Sequence, residues 1–194
     1  MVALPASNVV TTGVVVGAPT VVKQTFVTYG DGTVFVVPSK WCIKQAWGWN
    51  DMYIKDEWGN DVFYADAKSY TMTRNLGFTD LRTGLQIAYI KEKLKLGMPK
   101  FGVWVGGNEI ATVSQKFTLL APKFIVQSLS GAISISGDWT AHSFTFQRGN
   151  RVVATVSKDY HSCSDTYWVS IQPGEDVIFI LACCIIIDKC TTMN

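Results

Sequence analysis

The feature that most constrains the fold is an uninterrupted apolar run near the end of the chain. Residues 177–187 contain no charged side chain and only hydrophobic residue types. As a helix, this run would be about 17 Å long at about 1.5 Å per residue, roughly half the thickness of a bilayer's hydrocarbon core. A helix that is apolar on every side must be enclosed by protein. Acidic residues precede the run and Lys189 follows it, as the helix dipole favours, so we predict a buried helix near residues 176–189.

The run is also rich in β-branched residues, so a buried strand is the alternative interpretation. Most of the remaining chain reads as short strands, because β-branched and aromatic runs alternate with Gly, Asn and Asp. Three Gly-Asn pairs, at residues 59–60, 107–108 and 149–150, each separate two such runs. Gly and Asn tolerate the positive φ that a tight hairpin turn needs. We therefore predict a mainly β fold, a closed antiparallel barrel of about 12 strands that encloses the helix.

The length and composition predict one domain. The chain has 194 residues, of which 48% are hydrophobic and only 16% charged, and this excludes disorder and favours a large core. Residues 1–20 carry no Lys, Arg, Asp or Glu, and we predict an extended N-terminal arm there. Residues 21–194 are predicted to form the single barrel domain.

Charge and cysteine content exclude several classes of partner and site. A net charge of +2 is too small to indicate a nucleic-acid partner, and no run is long enough for a transmembrane segment. The five cysteines form no C-x-x-C pair, so buried thiols are favoured over a zinc site or a disulfide framework. The first residues lack the basic segment and long apolar run of a signal peptide, so we expect a cytoplasmic protein. The sequence indicates no oligomeric state.

The most pointed candidate for a binding site is a stripe of lysines. Lys91, Lys93 and Lys95 alternate along a predicted strand, so their side chains would share one face about 6.7 Å apart. Such like charges repel, and a phosphorylated lipid head group would neutralise them. The plainer interpretation is a solvated outer strand or an edge that lysines protect from aggregation. The residues that could join the stripe through neighbouring strands are Lys68, Arg74 and Arg82.

No motif indicates catalysis, a cofactor or a metal. His142 and His161 each precede a serine, but neighbours on a strand point to opposite faces, and no G-x-S-x-G elbow accompanies them. Phosphate-binding loops, dinucleotide fingerprints and H-E-x-x-H helices are also absent from the sequence. The acidic residues between 51 and 66 lack the EF-hand spacing. We therefore predict no catalytic residue, no cofactor and no metal site.

The order of these features resembles a known family. The segments that carry the resemblance are residues 47–51, 53–56 followed by Gly59-Asn60, 165–171, and the apolar run that ends before Asp188. Together they resemble the LURP-one-related family, which belongs with the phospholipid scramblases and the tubby C-terminal domain. The resemblance covers roughly residues 21–189 and implies a twelve-stranded, tubby-like barrel around a C-terminal helix. It brings no catalytic residues. It implies association with membranes or phosphoinositides, and plant members are linked to pathogen defence.

These observations leave three functional hypotheses open. The leading one is a non-enzymatic binding or adaptor domain, peripheral at a membrane, whose partner is an anionic lipid such as a phosphoinositide. A second is scramblase-like lipid transport, which requires an element that enters the bilayer, and the apolar run is short for that role. A third is a hydrolase that uses His142 or His161, each of which precedes a serine. A purely protein-interaction module in defence or signalling is the alternative form of the first hypothesis.

Overall fold

The computed structural model describes residues 9–15, 22–29, 32–35, 39–45, 51–68, 75–93, 97–116, 123–138, 142–158 and 166–191. Side chains are described from residue 39 onward within these ranges, except at residues 67 and 68. The strands are β1 (Val9–Val15), β2 (Val22–Tyr29), β3 (Gly32–Phe35), β4 (Ser39–Gln45), β5 (Met52–Lys55), β6 (Asp61–Lys68), β7 (Asn75–Asp80), β8 (Leu85–Glu92), β9 (Lys100–Val105), β10 (Asn108–Lys116), β11 (Lys123–Ser128), β12 (Gly131–Asp138), β13 (Ser143–Arg148), β14 (Arg151–Lys158) and β15 (Thr166–Ile171), followed by the helix α1 (Val177–Thr191).

Strands β4 to β15 form a closed antiparallel barrel. Each strand pairs with the next one along the chain, and β15 pairs with β4 to close the ring, so the predicted barrel of about 12 strands is confirmed. The first three strands form a separate antiparallel sheet in the order β1-β2-β3. The barrel thus begins at Ser39 and not at residue 21, because β15 pairs directly with β4 and leaves the ring no open edge for β2 or β3.

The predicted arm at residues 1–20 is described only at residues 9–15. These residues form β1, which pairs with β2 along its whole length. The three-stranded sheet therefore connects part of this arm to β2 and β3, which the sequence places in the barrel.

The apolar run forms the helix α1, which lies inside the barrel. Every residue from Val177 to Cys190 is buried. The helix contacts β15 on one wall and β8 and β9 on the wall opposite, which only an element in the lumen can do. The run is a helix despite its β-branched content, since all twelve strands are already paired on both sides. Asp176 begins it, because its Oδ1 accepts the backbone N–H of Phe179 at 3.0 Å.

The three predicted Gly-Asn hairpins are present. They connect β5 to β6, β9 to β10 and β13 to β14, and their turn glycines Gly59, Gly107 and Gly149 have φ values of 88°, 82° and 59°. Consecutive connections alternate between the two ends of an antiparallel barrel. The connections that follow odd-numbered strands therefore share one end, which is also the end where α1 follows β15. That end is held by a buried carboxylate. Glu175 is 2% exposed and forms ion pairs with Arg148, at 2.9 Å, and with Arg151.

Candidate functional site

A group of three lysines lies on the outer wall of the barrel where β8 meets β9. Lys91 is exposed on β8 and pairs with Gly102 on β9. Lys93 follows β8 directly, and its backbone N–H donates to the carbonyl of Lys100 at 2.7 Å. Neighbouring positions within and across strands are about 5–7 Å apart. We call Lys91, Lys93 and Lys100 the lysine face.

The inner side of the same strands belongs to the core. Ile90 is fully buried and pairs with Val103, which is also fully buried. Glu92 and its partner Phe101 lie two residues further along the same strands, so they are on this inner side as well. The alternation of strand side chains therefore turns Lys91 outward, as the sequence pattern predicts.

One carboxylate neutralises part of the lysine face. Glu109 on β10 forms an ion pair with Lys93 and accepts a hydrogen bond from Thr112 Oγ1 at 2.7 Å. The hydrogen bond from Lys93 lowers the pKa of the Glu109 carboxyl, with a further contribution from the hydrogen bond of Thr112. The carboxyl therefore stays charged at pH values at which an ordinary glutamate begins to be protonated. Lys91 and Lys100 form no ion pair within the described part of the chain. Lys91 and Lys100 are thus the two members of the face that carry no ion pair among the described residues, although the charge of Lys100 also lowers the pKa of Glu109.

The other predicted residues fall in different places. Lys68 pairs with Asn75, which pairs with Lys91, so its backbone lies in the same lateral row two strands away. Arg82 lies in the β7–β8 turn, beyond the far end of β8, about 20 Å along the strand from Lys91. Arg74 and Lys95 lie outside the described residues.

Arg82 is held where it is by a neighbouring carboxylate. Its Nη2 donates to Asp80 Oδ2 at 2.7 Å and its Nε to Oδ1 at 3.0 Å. Burial raises the pKa of Asp80, but the hydrogen bonds and charge of Arg82 outweigh burial, and the pKa is lower than usual. Arg82 therefore stabilises the turn and is not part of the lysine face.

An open groove of about 540 Å³ runs along the outer side of β8 from the lysine face toward the β9–β10 turn. Trp104 lines the groove from β9, and its Nε1 lies beside Gly102, where an added Cβ would approach it to 2.8 Å. This indole nitrogen is buried and has no hydrogen-bond partner among the described residues. The described lining of the groove includes Gln86, Ile87, Tyr89, Lys91, Trp104 and Gly107, and none of the described lining side chains is acidic.

The sequence pattern missed two members of this region, Lys100 and Glu109. Both come from strands whose register against β8 cannot be read from alternation alone. Lys100 stands at the start of the next predicted strand, and that position is the only signal that could have suggested it.

A second polar cluster lies at the end of the barrel where α1 finishes. His142 Nε2 lies 3.1 Å from Asp188 Oδ1, and its ring stacks on Tyr167 with centroids 5.0 Å apart. Burial, followed by the charge of Asp188, raises the pKa of Tyr167. These contacts attach the helix end to β13 and β15. His161, the other candidate for a hydrolase, lies outside the described residues.

The described cysteines all lie in the core. Cys42, Cys183, Cys184 and Cys190 are buried and form no disulfide, and Cys163 lies outside the described residues. Within the described ranges, no group of three or more His, Cys, Asp and Glu residues is arranged to hold a metal ion. No described helix combines the length and the apolar character that crossing a membrane requires.

The twelve barrel strands and α1 coincide with one protein-family model. The model of LURP-one-related proteins matches residues 39–188, which span the barrel from its first strand to the helix. The chain belongs to the LURP-one-related family. This LURP-one-related chain is 29% identical over 137 residues to YxjI of Bacillus subtilis (strain 168), covering 71% of the chain and 82% of YxjI.

The LURP-one-related barrel is also similar to a solved structure. An X-ray structure of a protein from Arabidopsis thaliana superposes with a TM-score of 0.59 at 18% sequence identity. The match covers 79% of this chain and 91% of the plant protein. At this identity the likeness shows a shared fold.

Proposed function

We propose that this LURP-one-related chain is a non-catalytic binding domain whose lysine face holds an anionic, phosphorylated lipid head group at a membrane surface. The observation that supports this proposal is the lysine face, where three lysines lie together and Glu109 pairs with one of them, Lys93. Phosphate oxygens accept hydrogen bonds from ammonium groups, and each lysine near an anionic surface contributes about 1 kcal/mol.

The groove beside the face adds an aromatic surface. Tyr89 and Trp104 line it together with Lys91, so a cation lies next to amphipathic rings. Tyr and Trp are favoured at the boundary between head groups and acyl chains, because each has an apolar body and a polar tip. This arrangement suits a peripheral contact with a membrane, in which the lysines meet phosphate and the rings meet the interface.

Vesicle co-sedimentation tests the proposal. We expect the chain to bind phosphatidylcholine vesicles that contain a phosphatidylinositol bisphosphate, and to bind less as salt is added. Lys91→Ala combined with Lys100→Ala should weaken binding about 30-fold, because two contributions of about 1 kcal/mol are lost.

The matched control is the double variant Lys123→Ala with Lys158→Ala, on β11 and β14, which removes the same charge elsewhere on the barrel. It should retain nearly all binding. Equal losses in the two double variants, or equal binding to vesicles of phosphatidylcholine alone, would contradict a head-group site at the lysine face.

A further inference from the structure

Three seams between barrel strands close in the same way. Each of the strands β6, β10 and β14 contains one bulged residue, which has no partner in the ladder with the preceding strand. The carbonyl of this residue accepts a hydrogen bond from the next strand along the chain, β7, β11 or β15. The donor is the backbone N–H of the first residue after that strand. The three pairs are Leu81 to Val62 at 2.9 Å, Leu129 to Ile110 at 3.4 Å and Gln172 to Val153 at 2.9 Å. In each case the next ladder pair follows directly, at Phe63 with Asp80, Ala111 with Ser128 and Ala154 with Ile171.

The fourth seam, between β8 and β9, lacks this closure. Ile87 bulges out of β8 as its counterparts do, and the residue that should donate to it is Gly106, the first after β9. No backbone hydrogen bond joins these two described residues. The ladder is also one pair short, since it begins at Tyr89 with Trp104 and not at Ala88 with Val105. We call Ile87, Ala88, Val105 and Gly106 the open seam.

The groove lies over the open seam. Its volume of about 540 Å³ is within the range of about 300–1,000 Å³ typical of ligand sites. Gly106 and Gly107 form one wall without side chains, so another backbone can come close. Lys91 stands at the other end without an ion pair among the described residues, and Trp104 Nε1 is a buried donor without an acceptor.

We propose that the open seam binds an extended acidic peptide segment of a partner protein as one short added strand. A peptide N–H donates to the Ile87 carbonyl, and the Gly106 N–H donates to a peptide carbonyl, so two bonds to the peptide take the place of the single direct bond found at the other three seams. An acidic peptide side chain pairs with Lys91. Strand addition of this kind takes its affinity from main-chain bonds and its specificity from alternate side chains.

The chemistry of the seam favours a peptide over a phosphorylated ligand. A phosphate group at neutral pH offers mainly acceptors, so it cannot satisfy the acceptor oxygen of Ile87, whereas a peptide supplies both a donor and an acceptor at each step. The positive charge of Lys91, in a groove whose described lining contains no acidic residue, favours an acidic segment. This site shares Lys91 with the lysine face but does not use Lys93 or Lys100.

Amide hydrogen exchange of the free chain tests the open seam itself. The Gly106 amide should exchange about ten-fold faster or more than the amides of Leu81, Leu129 and Gln172, because only those three donate to a bulge carbonyl. A Gly106 amide as protected as the other three would show that the seam is closed and would overturn the proposal.

Selection of random displayed peptides against the full chain tests the occupant. We expect enriched peptides to carry acidic residues among β-branched ones and to protect the Gly106 amide on binding. N-methylation of the peptide residue that donates to Ile87 should weaken binding about ten-fold or more, while N-methylation of the next residue, whose N–H points away, should change it little.

Separate variants distinguish this site from the lysine face. Lys100→Ala should weaken vesicle binding and leave peptide binding unchanged, whereas Lys91→Glu should weaken both. Equal losses from the two N-methylated peptides, no enriched peptide, or protection of Gly106 by anionic vesicles alone would each overturn the peptide proposal.

Discussion

Replacing Cys184 with Asp is expected to abolish the cooperative thermal unfolding transition of this chain. Cys184 is fully buried in α1, at the centre of the barrel. An unpaired charge at such a position costs several kcal/mol even after relaxation, and a whole domain is stable by only about 5–15 kcal/mol. Circular dichroism during a thermal melt measures the outcome directly.

The matched control introduces the same charge at the surface. Leu129 is 88% exposed in the turn between β11 and β12, so Leu129→Asp should change the free energy of unfolding by no more than about 0.5 kcal/mol. A Cys184→Asp chain that melts at the wild-type temperature would show that the apolar run is not the core, and the barrel assignment would fail.

Removing the carboxylate of Glu175 is expected to cost about 3 kcal/mol of unfolding free energy. Arg148 donates to it through Nη1 at 3.0 Å, and Arg151 pairs with the same carboxylate. Because Glu175 is 2% exposed, Glu175→Ala leaves Arg148 without its buried partner and detaches the β13–β14 hairpin from the start of α1. Urea denaturation monitored by tryptophan fluorescence measures the loss.

Arg151→Ala provides the comparison for this prediction. The Arg151 side chain is 59% exposed, and Arg148 still pairs with Glu175 in this variant, so the cost should stay below about 1 kcal/mol. An Arg151→Ala chain as unstable as Glu175→Ala would mean that the carboxylate serves the exposed arginine and does not hold the hairpin.

The fold could be predicted from the sequence because its strongest constraints are local. A short run that is apolar on every side requires an enclosure, and the Gly-Asn turns mark the hairpins that supply it. The boundary of the barrel could not be predicted in the same way. The segments of β2 and β3 have strand composition, but only the pairing of β15 with β4 decides that these two strands lie outside the ring.

The candidate site was predictable only along its own strand. Alternation places Lys91 on the outer wall, but the register between strands determines what stands beside it. That register brings Lys100 and Glu109 to the face and leaves Arg82 at the other end of β8, bound to Asp80. The open seam differs from the other three seams only in the backbone hydrogen bond that it lacks. No pattern of residue types in the sequence indicates which seam lacks that bond.

Backbone amide chemical-shift mapping with free inositol trisphosphate tests most directly whether the lysine face is the binding surface. The account predicts concentration-dependent shifts concentrated at Lys91, Lys93, Lys100 and the intervening Gly102. The exposed arginines Arg82 and Arg151, at the other end of the barrel, should not shift. Shifts centred on those arginines, or no shift at the lysine face in low salt, would contradict it.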